Sequence, residues 1–253
     1  MKKQTVGSFC LVRNEINFIK DHLDMWLPCL DSMTFYDGNS TDGTLEILRK
    51  YAKAHSKITL KEDKDIKNFG EDYQRLSNEC MWDCPSDIGI FLHPDMFPVN
   101  GEILKNLPKD MIAATAEMES FAGEPKGPLY RILGRGKAWK NIYRLRNPNL
   151  GAHYFGSYGA QNEDTYFSEV TGDEHKHYGT NFDMYPYPVV DSGLKIQHYS
   201  DVRPYARRLE RMKRCLKNQG YPERKIDMIA AEHPRVSLVS NINFKLEPLR
   251  YEL

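Results

Sequence analysis

Over its first hundred positions the chain alternates short apolar runs with apolar residues at helical spacing, and this rhythm limits the fold more than any other feature. Val6 to Val12 reads as a buried strand, and from Ile16 onward Ile19, Leu23, Trp26 and Leu30 recur at the spacing of one helix face. Met33 to Tyr36 predicts a second strand, followed by the polar turn Asp37-Gly38-Asn39-Ser40 and a helix with Leu45, Leu48 and Ala52 on one side. Ile58 to Leu60 predicts a third strand, Asp72 to Trp82 a further helix, and Ile88 to Leu92 a fourth strand. That fourth run is apolar throughout and is expected to be central. Alternation of this kind implies right-handed crossovers and an α/β fold: a mostly parallel central sheet with helices on both faces.

In open parallel sheets ligands bind outside the carboxyl ends of the strands. Three polar clusters fall at those ends, Arg13-Asn14-Glu15, Asp37-Gly38-Asn39-Ser40 and His93-Pro94-Asp95, and they are expected to converge on one crevice. Beyond residue 100 the alternation fades. Met111 to Glu117 and Ile142 to Arg146 still read as strands, whereas Gly123 to Gly136 and Gly151 to Gly159 read as loops over a site. Val202 to Leu216 predicts an amphipathic helix whose Arg207, Arg208, Arg211, Lys213 and Arg214 form a solvated outer face.

Charge and cysteine usage bound the partners. Lys plus Arg equals Asp plus Glu at 35 each, so no global positive field argues for nucleic acid or a membrane surface. Five cysteines, Cys10, Cys29, Cys80, Cys84 and Cys215, form an odd set without a CxxC pair, which predicts reduced core thiols and a reducing compartment. Gln4, Thr5, Gly7 and Ser8 interrupt any secretory signal, and no run approaches the ~20 apolar residues of a membrane span. A cytoplasmic protein is the expectation.

The stretch "YDGNSTDGTLEIL", Tyr36 to Leu48, resembles the strand-turn-helix of family 2 glycosyltransferases, with Ser40, Thr41, Asp42, Gly43 and Thr44 matching directly. Gly38-Asn39 departs from the family pattern, but both residues tolerate positive φ, so the turn can survive. "LVRNEINFIKDHLDMWL" and "IQHYSDVRPYARRLERMK" are similar to a branch with Arg-Asn-Glu after the first strand and a late His-Tyr motif. The resemblance covers residues 5 to 99 fairly continuously and 139 to 215 in pieces. It implies a GT-A fold in a single domain over 1–253: about 1–99 for the nucleotide-sugar, 100–200 facing the acceptor, and 201–253 as a C-terminal helical extension.

The same resemblance implies roles. Asp37 is the aspartate that meets the nucleotide, and Arg13, Asn14, Glu15, Asn39, Asp42, Gln74, Arg75, His93 and Lys140 are donor contacts. His93-Pro94-Asp95 stands where the family has Asp-x-Asp, making Asp95 a ligand for Mn²⁺ (or Mg²⁺), with His93 and the late His198 as further candidates. Imidazole suits Mn²⁺ better than Mg²⁺. Glu163 and Asp164 resemble the acidic pair of inverting members, with Asp164 first as the base that takes the acceptor proton and Asp173 and Asp191 as rivals. Trp139, His153 and the aromatic Tyr158 are acceptor candidates. The implied activity is metal-assisted, inverting transfer of a sugar from a UDP-sugar or other nucleoside diphosphate-sugar to a carbohydrate or other hydroxyl acceptor. Asp95→Ala is then expected to abolish activity with little loss of folding. Two other classes stay open: a nucleotidyltransferase, against which the absence of glycine in "LVRNEIN" counts, and a non-catalytic carbohydrate- or nucleotide-binding relative that lost metal chemistry at His93.

Overall fold

The computed structural model describes residues 3–62, 76, 79–111, 113–124, 129–133, 138–145, 163–167, 174–178, 189–218, 221–232 and 245–248. Strand β1 (Val6–Val12) lies between β2 (Ser32–Asp37) and β4 (Ile88–Phe91), parallel to both, and β3 (Ile58–Glu62) adds in parallel beyond β2. The chain thus builds outward from β1 to β3, then crosses back to place β4 on the other side of β1. That reversal puts a crevice at the carboxyl ends of β1 and β4.

Every residue of β1 is buried, because both faces of the sheet are covered. Val6, Cys10 and Val12 point into one core with Ile19, Leu23 and Trp26 of helix α1 (Ile19–Trp26) and Leu48 of helix α2 (Thr44–Ala54). Phe9 and Leu11 point the other way, against Leu76, Cys80, Met81 and Cys84. Period-two alternation along one strand therefore feeds two cores. The expected helices on both faces follow from it. Cys10, Cys80 and Cys84 are buried thiols that form no disulfide among the described residues.

The parallel set continues into antiparallel pairing. Among the described residues, β8 (Ala138–Arg144) joins β4, β6 (Ala113–Gly123) joins β8, and β7 (Leu129–Leu133) and β12 (Lys245–Pro248) follow, so that ten strands share one sheet. The long β11 (Val189–Val202) runs parallel to β6 and antiparallel to the short β5 (Met96–Pro98). A separate antiparallel pair joins β9 (Glu163–Phe167) to β10 (Glu174–Tyr178). Two expectations are corrected here. The 123–136 stretch, read as a loop, contains β7, and the C-terminal stretch adds strand β12 to the sheet as well as helices α3 (Tyr205–Asn218) and α4 (Glu223–Glu232). No described helix is long and apolar enough to cross a membrane.

Candidate active site

The loops after β1 and β2 are laced together by side chains that serve backbone groups. The Asn14 N–H donates to Ser40 Oγ (2.9 Å), the Thr41 N–H donates to Asn14 Oδ1 (2.8 Å), and the Glu15 N–H donates to Thr44 Oγ1 (2.8 Å). Asp42 accepts from Thr44 N and Oγ1 through Oδ1 and from the Ile16 N–H through Oδ2 (3.1 Å). Asn14 and Asn39 take the left-handed conformation, with φ of 57° and 61°, and Gly43 sits at 99° immediately before α2. The string that matched a glycosyltransferase turn is thus a clamp between two strand ends. Asn14 and Asp42, expected from sequence as donor contacts, accept hydrogen bonds from backbone N–H groups here. Asp42→Ala should lower stability by about 1–2 kcal/mol, the usual effect of losing such a cap, with Asp42→Asn much milder; chemical denaturation of the two variants checks this.

Asp37, only 1% exposed, accepts from the Ser40 N–H (2.8 Å) and Ser40 Oγ (2.6 Å). Burial raises its carboxyl above the ordinary value, against the pull of the Ser40 hydrogen bonds. It closes the end of β2 beside Val12. Arg13 and Asn39 are exposed at the same end of the sheet.

The His-Pro-Asp stretch is a turn between β4 and β5. The Met96 N–H donates to the His93 carbonyl (3.0 Å), which places Pro94 where its fixed φ favours a β-turn. The Tyr199 N–H donates to the Asp95 carbonyl (2.8 Å), and β5 pairs Met96 with His198. Strand β11 thereby brings His198 to Asp95: Nε2 lies 3.4 Å from Oδ1, and the His93 ring stacks on the His198 ring at 6.3 Å and 17°.

Asp95 is 4% exposed, and its two oxygens differ. Oδ2 accepts from Arg203 Nη2 (2.8 Å), while Oδ1 is buried without a hydrogen-bond partner. Arg203 also grips Glu15 through Nη1 (2.8 Å) and Nη2 (3.0 Å), so one guanidinium ties the loop after β1 to the turn after β4 across the switch-point crevice. Burial alone would raise the Asp95 carboxyl; His198, Arg203 and His93 outweigh it and hold the group well below the usual range. Burial likewise works against the Arg203 charge, but Glu15 and Asp95 raise its pKa further above the ordinary arginine value. Arg203 was not among the residues expected from sequence. It lies 188 positions from Glu15, in a string that reads as the approach to a helix.

The other expected residues divide by location. Asp191 is exposed, accepts from the Gly193 N–H (2.8 Å), and stands seven residues before His198 on β11, with a register shift against β6 between them. Glu163 and Asp164 lie on β9, opposite Tyr178 and His177 of β10, and Trp139 and Lys140 lie on β8, opposite Glu117 and Ala116 of β6. Gln74, Arg75, His153 and Tyr158 fall outside the described residues. Helix α3 departs from its expected solvated basic face at Arg208, which is 3% exposed, donates to Glu124 (2.7 Å) and, through Nε, holds the Arg203 carbonyl (2.9 Å).

A mixed α/β protein with an acidic, imidazole-lined crevice at its topological switch point is the class these features define. Comparison with protein-family models finds no match, nor does comparison with the curated proteins. Among solved structures, the chain is similar to a mannosyltransferase, PcManGT from Pyrobaculum calidifontis, in complex with GDP-Man and Mn²⁺ (TM-score 0.48, 14% identity, 86% of this chain and 64% of that one). It is also similar to S. aureus TarS 1-349 in complex with UDP (0.47, 16%, 90% and 70%) and to GalNAc-T7 with UDP, GalNAc and Mn²⁺ (0.46, 9%, 91% and 55%). The chain therefore spans 55% to 70% of the length of these three neighbours.

Proposed function

We propose that the chain is a GT-A-type glycosyltransferase that moves a sugar from a nucleoside diphosphate-sugar, a UDP-sugar first, to a hydroxyl acceptor with the help of a divalent cation. The observation that carries this reading is the Asp95 carboxylate, buried just past the end of a central parallel strand, with Oδ1 facing His198 Nε2 at 3.4 Å and the His93 ring stacked beyond it. A buried carboxylate oxygen is costly unless a hydrogen bond or a positive charge meets it. Asp95 Oδ1 and His198, with His93 as a further candidate, would suit a cation that accepts nitrogen as well as oxygen, Mn²⁺ before Mg²⁺. Among the described residues no group of three or more His, Cys, Asp and Glu side chains forms a ready cation cage, so diphosphate oxygens would complete the sphere. The ion, when bound, supplies the positive charge that steadies the leaving diphosphate.

The chain's own residues do the rest. Asp37, Arg13 and Asn39 line the nucleotide end, with Gln74, Arg75 and Lys140 as further donor contacts. Asp164, or Glu163 beside it, accepts the acceptor hydroxyl's proton while the acceptor oxygen bonds to the anomeric carbon. The sugar–phosphate bond breaks, its electron pair leaves with the diphosphate, and configuration inverts. Trp139, His153 and Tyr158 hold the acceptor. Residues 1–99 supply the donor side and 100–200 the acceptor side, and the reaction takes place in the cytoplasm.

The test is thermal stability against UDP-, GDP-, dTDP- and CMP-linked sugars, each with Mn²⁺ and again with chelator. A ligand at a hundred times its Kd stabilises by about 2.7 kcal/mol. The expected result is a rise with one nucleotide class that disappears with chelator. No rise with any donor would overturn the reading.

A further inference from the structure

Helices α3 and α4 meet at a turn whose charge differs from that of the rest of the chain. From Arg207 to Lys225 there are eight Lys and Arg against two Asp and Glu, although the whole chain balances at 35 each. Arg208 is taken up by Glu124, and Lys213 pairs with Asp227 (2.7 Å), which ties the two helices together. The Tyr221 N–H donates to the Leu216 carbonyl (3.0 Å), so Lys217 and Tyr221 stand at the same end of this hairpin. Lys217, Arg224 and Lys225 are exposed there.

Two large apolar side chains are exposed at that end as well, Tyr221 at 37% and Met228 at 56%. Tyr221, Arg224, Lys225 and Met228 recur at the spacing of one helix side, whereas Ile226 is turned away and buried. The Lys225 ammonium lies over the Tyr221 ring at 5.0 Å, so an aromatic ring and a cation are presented together. Solvation alone gives no reason to group large apolar side chains among cations. A helix that lies in a lipid interface has that composition, with apolar groups entering the headgroup layer and Lys and Arg reaching its phosphates.

We propose that the turn between α3 and α4 docks on an anionic lipid surface, with Tyr221 and Met228 inserted among the headgroups and Lys217, Arg224 and Lys225 against their phosphates. Charge complementarity selects the lipid sign, and the apolar pair selects a lipid over a soluble polyanion, which would use the cations and gain nothing from Met228. The even charge balance of the chain conceals this field because it is local. Such docking requires neither sugar donor nor metal.

The full chain is sedimented with phosphatidylcholine vesicles, with and without about a third phosphatidylserine. Binding is expected to the anionic vesicles alone, and raising the salt from about 0.1 M to about 1 M, which shortens the screening length from about 10 Å to about 3 Å, should release the chain. Lys217→Glu, Arg224→Glu and Lys225→Glu together should weaken binding at least about a hundredfold, since each cation near such a surface contributes about fivefold. Tyr221→Ser with Met228→Ser should weaken it about tenfold at unchanged charge. All five side chains are exposed, so the denaturation midpoints of both variants should match wild type. Absence of wild-type binding to the anionic vesicles, or equal binding to the neutral ones, would overturn the proposal. Loss of binding on charge reversal with none in the serine pair would point to a soluble polyanion and overturn it too. If the charge-reversed variant fails to fold, the serine pair decides.

Discussion

Asp95→Asn should cut sugar transfer by at least about a hundredfold, because a metal-assisted step draws several kcal/mol from the ion and each tenfold corresponds to about 1.4 kcal/mol. The asparagine keeps a carbonyl oxygen for Arg203 but removes the charge that a cation requires. Turnover close to wild type would sink the assignment. The alanine variant separates activity from stability. From sequence, a strand-end carboxylate contributes little to folding; in the structure Asp95 is buried and is one of the two carboxylates that hold the half-buried Arg203 guanidinium. Asp95→Ala removes one of the two carboxylates on Arg203, and breaking a fully buried pair costs about 3–5 kcal/mol. Because the guanidinium is 17% exposed and Glu15 stays in place, the loss falls below that range, and a drop in the denaturation midpoint is expected for alanine and a smaller one for asparagine.

Acid should weaken the fold through His22 before the Asp95 carboxylate titrates. His22 is fully buried on α1, and its Nδ1 lies 3.1 Å from the Met96 carbonyl; a carbonyl only accepts, so Nδ1 carries the proton and Nε2 is left bare, without a partner. Burial lowers its pKa from the ordinary 6.5 to about 4, with the Met96 carbonyl, Asp95 and the Pro94 carbonyl pulling weakly the other way. The native chain therefore keeps His22 neutral down to about pH 4, while the unfolded chain protonates it near 6.5. Between those values the unfolded state binds the extra proton. Stability is full above pH 6.5 and falls as the pH drops toward 4, by about 3 kcal/mol at about 1.4 kcal/mol per pH unit. Asp95, held below the ordinary carboxylate range, adds its own loss only at lower pH. In His22→Leu the slope between pH 6.5 and 4 should flatten, with Trp26 Nε1 still donating to the Met96 carbonyl (2.9 Å). An unchanged slope in urea unfolding would locate the acid sensitivity elsewhere.

The elements readable from sequence were those whose pattern is local. β1, β2, β4 and α2 begin and end within a few residues of their apolar runs because each carries its own continuous or periodic apolar pattern. β12 escaped because its partner is distant: Lys245–Pro248 pairs with Leu133–Tyr130, more than a hundred positions away. Gly123 and Pro128 on either side of a short stretch also look like punctuation. In the site, Asp95 and His198 meet because the turn after β4 and the pairing of β5 with β11 fix both positions. The uses of Asn14 and Asp42 were not legible, because the same side chains that mark a ligand loop can equally bind backbone. Arg208 looked solvated because its charge, not its partner Glu124, is visible in a helical pattern. Arg203 left no local sign at all.

The bond between Arg203 and Glu15 also has a history in the making of the chain. The two are 188 positions apart, so at 5–20 residues per second a ribosome needs about 10–40 s to deliver the arginine after the glutamate. During that interval the parallel strands can pair, yet Glu15 and Asp95 face each other with no guanidinium between them. The nascent crevice is an unneutralised acidic cleft, and it becomes a finished site only when the stretch around Arg203 arrives to close it.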